Sequence, residues 1–260
     1  MSVPYIIYNG VDSRELGVII EKLPDFHRAQ RRVAEKAVPG RSGALVQDDG
    51  AYELNTATLR INCNGVDLRT VYDWLRGEGW LISSDEPEYM AYAYLYNGVD
   101  DQRFRAGGLC YDTLAVNLRL EPYLRLVEEA SHTFGGQDVQ LSIAGEGSDA
   151  ALPLFRLTSD LQGTHSVTAT LVVNGVEVYF SDVDGGHGGC LWLDCEAGIA
   201  YYEYTDSGGM TVREWAGDAV SLDEGEWPSL RPGGGSNLLE MTSDGQSAVF
   251  VTVYPQWRFL

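Results

Sequence analysis

The chain has 260 residues, 44% hydrophobic and 11% aromatic, which is enough to bury one large core or two modest ones and excludes a disordered polymer. Lys and Arg number 18 against 38 Asp and Glu, a net charge of −20, with 14 against 20 over residues 1–130 and 4 against 18 over residues 131–260. Such a chain repels nucleic acid and anionic membrane, since binding phosphates needs cationic side chains.

No apolar run reaches the roughly 18 residues of a membrane span. Met1 to Gly10 holds no basic segment followed by an apolar one, so no secretion leader is expected, and synthesis in the cytoplasm is. The four cysteines, Cys63, Cys110, Cys190 and Cys195, are too few and too scattered for a disulfide framework, and Cys190-x4-Cys195 lacks zinc-site spacing. They read as small apolar core residues.

In chain order, Pro4 to Tyr8 reads as a strand with Asn9-Gly10 as its turn, and Leu16 to Ile20 as a second strand that Pro24 ends. Residues 25–36 are polar and basic with few apolar anchors, and read as a short helix or an extended loop. Pro39 fixes its own φ while Gly40 and Gly43 admit positive φ, so Val38 to Leu45 forms a tight turn that leaves Arg41 displayed. Behind it, Ala57 to Cys63 alternates apolar and polar with period two, as a half-buried strand does. Asp67 caps a helix in which Leu68, Val71, Tyr72 and Leu75 make one apolar stripe, with Gly77 and Gly79 ending it. Strands follow at Trp80–Ile82, Met90–Tyr96 and Leu114–Leu120, with turns at Ser83–Pro87 and Asn97–Gly98.

Residues 128–150 are small and polar around a short strand at Val139–Ile143, and a domain junction is expected at 131–150. From Leu152 onward the chain reads as all β. Val167–Val173 and Val176–Phe180 flank Asn174-Gly175, the strongest hairpin signal present, because both turn residues need positive φ. Cys190–Cys195 and Ile199–Tyr204 flank Glu196-Ala197-Gly198 as a second hairpin. Met210–Trp215, Leu238–Thr242 and Val249–Val253 complete the set, the last two joined through Ser243-Asp244-Gly245.

Several short motifs occur in an order that resembles siphophage distal tail proteins, the Dit family. They are Asn9-Gly10 with Asp12-Ser13 and Leu16-Gly17-Val18, then Pro39-Gly40-Arg41 with Gly43 and Leu45, and Tyr52-Glu53 before a strand. Trp74-Leu75 at a helix end and Asp85-Glu86-Pro87 before an aromatic strand continue the series. Leu193-Asp194 with Gly198, then Trp227-Pro228 through Pro232-Gly233 to Asn237, extend it to the far end. The resemblance implies a mainly β fold. A tail-tube-like domain with one packed helix would occupy residues 1–130, a junction 131–150, and a galectin-like β-sandwich 151–260. It also implies a homo-hexameric ring at the virion tail tip. Such a ring joins the tail tube protein to the tail-associated baseplate or fibre protein and to receptor-binding protein, with DNA passing through it unbound. Pro39, Gly40, Arg41 and Gly43 are the candidate oligomer or tube contact, Arg being the charged residue favoured at interface cores.

Chemistry-bearing constellations are weak. Asp182-Val183-Asp184-Gly185 has two spaced oxygen donors but lacks the third donor and distant glutamate of a calcium loop. The histidines, His27, His132, His165 and His187, are dispersed, and no Gly-x-Ser-x-Gly elbow or Cys–His signature occurs. Neither Gly185–Gly189 nor Gly233–Gly235 stands between a strand and a helix, as a phosphate cradle would. No catalytic residue, cofactor or metal site is expected, and the chain reads as a structural protein and not an enzyme. The alternative is a carbohydrate-binding sandwich module, with Trp192, Trp215 and Trp227 as candidate stacking platforms.

Overall fold

The computed structural model describes residues 3–40, 42–96, 99–106, 109–160, 167–186, 188–243 and 248–260, with backbone alone for 99–106, 109–111 and Glu224. Arg41, Asn97–Gly98, His165, His187 and the Asp244-Gly245 part of an expected turn lie outside the described residues. The chain forms two compact units, Met1–Val127 with Leu260, and Glu128–Phe259. Among the described residues one α-helix occurs, and no helix is long and apolar enough to cross a membrane.

The first unit contains β1 (Ile6–Tyr8), β2 (Val11–Asp12), β3 (Ile19–Lys22), β4 (Arg31–Ala37), β5 (Ala44–Tyr52), β6 (Asn55–Asn62), α1 (Leu68–Trp74), β7 (Gly77–Ser83), β8 (Tyr89–Leu95), β9 (Val99–Ala106) and β10 (Leu109–Leu126). The main antiparallel sheet runs β2-β1-β7-β8-β10-β6-β3, with β9 paired to β10, while β4 and β5 form a separate two-stranded sheet. Period-two alternation buries Leu59 and Ile61 on β6 and Leu114, Val116, Leu118 and Leu120 on β10, and Ile6, Tyr8 and Leu81 join the same core. Helix α1 adds Val71, and Leu75 just beyond its last turn, to that core. Its expected cap is present, the Asp67 carboxylate accepting the Arg69 amide at 3.2 Å. Strand β10 slips register between Leu120 and Leu124, where Pro122 has no amide hydrogen for the ladder.

Three local expectations are corrected here. Residues 31–37 are neither helix nor loop but strand, and Ala44–Tyr52 adds a partner strand that the sequence reading omits. The reason is that this hairpin has no core side, so it shows no alternation. Gly77 and Gly79 do not simply end the helix; both belong to β7. Gly77 takes a φ of +81°, and any Cβ on Gly79 would overlap the Asn9 side chain.

The second unit contains β11 (His132–Gly136), β12 (Asp138–Ala144), β13 (Leu154–Ser159), β14 (Ala169–Val173), β15 (Val176–Phe180), β16 (Cys190–Asp194), β17 (Ile199–Thr205), β18 (Thr211–Trp215), β19 (Val220–Leu222), β20 (Ser236–Ser243) and β21 (Val249–Tyr254). They form two antiparallel sheets, β11-β21-β13-β16-β17-β18 and β12-β20-β14-β15-β19. Phe155, Leu157, Leu193 and Val251 from the first meet Leu171, Val178, Phe180 and Met241 from the second in one core, which makes the unit a β-sandwich. The stretch expected as a junction at 131–150 supplies two of these strands, and its residues Phe134 and Ile143 are buried.

Both predicted hairpins form. Asn174 and Gly175 adopt φ of 52° and 95° between β14 and β15. In the β16–β17 turn the Asp194 carboxylate accepts the Glu196 and Ala197 amides at 3.0 and 2.8 Å. Asn237, fully buried on β20, ties the Trp227–Gly233 segment down. Its Oδ1 accepts the Arg231 amide at 2.7 Å and Asn174 Nδ2 at 2.8 Å, and its Nδ2 donates to the Arg231 carbonyl at 3.2 Å.

Candidate interaction surfaces

The β4–β5 hairpin is the first surface. Its register pairs Val33 with Asp48, Glu35 with Val46, Lys36 with Leu45 and Ala37 with Ala44. Directly paired residues share a face, so Val33, Val46, Ala37 and Ala44 lie on one side and Ala34 and Leu45 on the other. Val33, Leu45 and Val46 are 46%, 49% and 58% exposed. The root of the hairpin is built by acids and arginines: Arg31 meets Asp48 at 2.9 Å and Arg32 meets Asp49 at 2.7 Å. Between them the register shifts by two residues, and Gly50 takes a φ of +78°. The Asp49 carboxyl is held below its ordinary range, first by the Ala51 amide and then by Arg32. Tyr52 anchors this root edge-on against Tyr123 of β10, with ring centroids 5.8 Å apart.

Pro39, Gly40 and Gly43 lie at the distal tip, between the last β4–β5 pair and Arg41's position, with φ of +78° at Gly40 and +86° at Gly43. A Cβ on either glycine would meet nothing within 4 Å among the described residues, so it is the positive φ that calls for glycine at both. The sequence reading found the tip and missed the arm that carries it.

The second surface is the outer face of the six-stranded sheet. The alternation that buries Phe155 and Leu157 turns Arg156 outward, and pairing places it beside Trp192 and Thr252. Trp192 stacks between Tyr201 at 6.3 Å and Tyr254 at 5.9 Å. Arg156 lies 5.9 Å from the Trp192 ring and Arg213 lies 5.2 Å from that of Tyr201. The Glu203 carboxylate accepts Arg213 Nε at 2.8 Å. A groove of about 370 Å³ opens beside this array, lined among others by Arg156, Thr158, Ser159, Glu203 and Thr211.

The structure brings two of the three expected tryptophans to this face. Trp215 pairs with Tyr201 on the edge strand β18 and is 64% exposed. Trp227 is elsewhere, packed against the sandwich core and Gly198. Of the other aromatics, Tyr202 is buried with its hydroxyl on the Asp182 carbonyl at 2.9 Å, and Trp257 is buried in the core. Asp182 and Asp184 fold their carboxylates onto the backbone amides of their own loop. Burial raises the Asp182 carboxyl above its ordinary range. Among the described residues no three His, Cys, Asp or Glu side chains are grouped to hold a metal ion. Cys63, Cys190 and Cys195 are buried thiols.

No protein-family model and no curated protein sequence matches the chain. Solved structures do. One is the Dit protein (gp 19.1) of phage SPP1, described as a paradigm of the hub adsorption apparatus in phages infecting Gram-positive bacteria. The two chains align over 100% of each with a TM-score of 0.64, at 12% sequence identity. The mainly β, Dit-like fold expected from the short motifs is thus the fold observed.

Proposed function

We propose that this chain is a structural protein of a phage tail, a hub at the distal end of the tail tube. The observation that carries the reading is the fold shared with SPP1 Dit from one end of both chains to the other. On this reading the first unit assembles with further copies as a hexameric ring, and the second is a galectin-like sandwich displayed from it. The ring joins the tail tube protein to the baseplate or fibre protein and to receptor-binding protein, and the virion tail tip is its location.

The β4–β5 arm supports this reading. A lone two-stranded hairpin is marginal in water, and this one exposes Val33, Leu45 and Val46, with no cover among the described residues. A ring needs a heterologous contact that closes. An arm about nine residues long at roughly 3.4 Å per residue, covered on one face, contributes a large share of the roughly 800 Å² per partner typical of a stable contact. Pro39, Gly40, Arg41 and Gly43 then stand at the subunit or tube contact. The excess of acids suits a passage through which DNA slides without adhering, because no cationic groups reward phosphate contact.

The test is the solution mass of the full chain by light scattering, with negative-stain images of the same peak and immunogold labelling of intact tails. A six-fold mass with annular particles, or gold at the tail tip, is the expected result. A protein that stays monomeric near 100 µM and labels no tail overturns the reading.

A further inference from the structure

Residues 128–259 carry four cationic side chains, Arg156, Arg213, Arg231 and Arg258, against twenty Asp and Glu, a net charge of −16. Two of those four, Arg156 and Arg213, stand on the outer face of the six-stranded sheet, each over an aromatic ring. So concentrated a use of scarce cations needs a reason. Sheet stability does not supply one, since exposed ion pairs and cation–π contacts contribute only about 0–1 kcal/mol each.

The groove beside them has a consistent chemistry. Its volume of about 370 Å³ falls in the range of small-ligand sites, roughly 300–1,000 Å³. Its wall offers the guanidinium of Arg156 as donor, the carboxylate of Glu203 as acceptor, and the hydroxyls of Thr158 and Thr211 as both. The donor and acceptor are held in place: Arg156 rests on Trp192 and Cys190, and Glu203 is gripped by Arg213 at 2.8 Å. Beside the groove, Trp192 Nε1–H is shielded from solvent and has no acceptor among the described residues.

We propose that this groove is a binding site for a neutral saccharide, one or two pyranose rings in size. Vicinal sugar hydroxyls both donate and accept, which matches a wall that presents one fixed donor, one fixed acceptor and the hydroxyls of Thr158 and Thr211. The rings of Trp192, Tyr201 and Tyr254 stack on one another beside the groove and back its wall through Arg156 and Arg213, so recognition there is by hydrogen bonds. An anionic ligand is disfavoured by Glu203 in the wall and by the net charge of the unit, and an apolar one by the polar lining. A metal ion would find a single carboxylate there. The proposal concerns the second unit and stands whether or not the chain assembles into a ring.

The experiment titrates the full-length protein with methyl glucoside, methyl galactoside, N-acetylglucosamine and their disaccharides, with glucuronate as the anionic control. Saturation-transfer NMR and calorimetry are the readouts. At least one neutral sugar should bind with a dissociation constant of about 1–10 mM, an ordinary range for a ligand of this size. Arg156→Met and Glu203→Gln should each weaken it about tenfold or more, because each removes a charge-assisted hydrogen bond. The milder Thr211→Val should weaken it several-fold, and Tyr179→Ser on the opposite sheet should leave it unchanged. Circular dichroism checks that each variant is folded. No binding by any neutral sugar, binding unchanged in Arg156→Met, Glu203→Gln and Thr211→Val, or binding of glucuronate alone overturns the proposal.

Discussion

Replacing Asn237 by leucine should cost the second unit about 2–4 kcal/mol. The side chain is fully buried, and its amide satisfies both the N–H and the C=O of Arg231 while accepting Asn174 Nδ2 at 2.8 Å. Leucine has the same branched skeleton with bulkier methyl ends, so no cavity opens and the loss is one of hydrogen bonds with some overpacking added. Asn174 Nδ2 keeps a second acceptor, the Ser229 carbonyl at 3.0 Å, but the Arg231 amide loses the 2.7 Å bond it makes to Asn237. A buried donor or acceptor left unpaired costs about 1–3 kcal/mol, and the extra apolar burial offsets about 1 kcal/mol of the two such groups created. At roughly 3–6 °C per kcal/mol for a unit of this size, the unfolding midpoint should fall by about 6–24 °C. Differential scanning calorimetry of the full chain reads this, and hydrogen exchange should show the Trp227–Gly233 segment opening first. Asn237→Asp offers a sharper check, since it keeps the acceptor and loses the donor. It should be destabilised at pH 7 and partly recover as the carboxyl protonates. A fall of less than about 3 °C for Asn237→Leu would refute this account of the segment.

Leu45→Asp with Val46→Asp should dissociate the assembly while leaving the subunit's melting temperature within about 1 °C, because exposed sites rarely shift stability by more than about 0.5 kcal/mol. Light scattering and calorimetry separate the two effects, and Arg41→Glu at the tip should act in the same direction more weakly. Asp182→Asn should raise stability at pH 7. Burial lifts this carboxyl above its ordinary value, so the charged form is a cost present above the raised value, and protonation removes that cost as pH falls. The advantage of the asparagine should therefore vanish near pH 4 in paired melts, and an advantage that grows on acidification would contradict it. Asp67→Ala should cost the first unit about 0.5–2 kcal/mol through the lost cap on the Arg69 amide, read as a lowered urea midpoint at unchanged slope.

What the sequence made legible followed from whether a segment has an inside. Strands with one buried face, such as Asn55–Asn62 and Leu154–Ser159, advertise themselves by alternation, and Asn174-Gly175 announces a hairpin by the φ it requires. Helix α1 was visible from its stripe and its cap. The β4–β5 arm was not, because both of its faces are open and Arg31–Ala37 has no period to detect. The strand at 132–136 was hidden by small and polar residues, and Val139–Ile143, though legible as a strand, was placed in a junction because the partners of both lie about a hundred positions away. The outer face of the six-stranded sheet was half visible. Trp192 and Trp215 were identifiable as aromatics, but Arg156, Glu203 and Arg213 come together only through the pairing of β13, β16, β17 and β18. Nothing in local sequence separated Trp227, half-buried against the core, from the tryptophans on the face.

The order of strands in the sandwich constrains how the protein can be made. In both sheets the earliest strand of the unit is joined to the rest only by one of the latest: β11 reaches β13 through β21, and β12 reaches β14 through β20. While the chain is still on the ribosome, neither early strand has its ladder partner until residues 236–254 have emerged. The first unit, whose last strand ends at Leu126, can finish folding well before that. A nascent chain interrupted upstream of Ser236 would carry a finished first unit followed by two strands with open edges, the condition that seeds aggregation. Prompt translation through residues 236–254 is therefore what this topology asks of the cell and not of the folded protein.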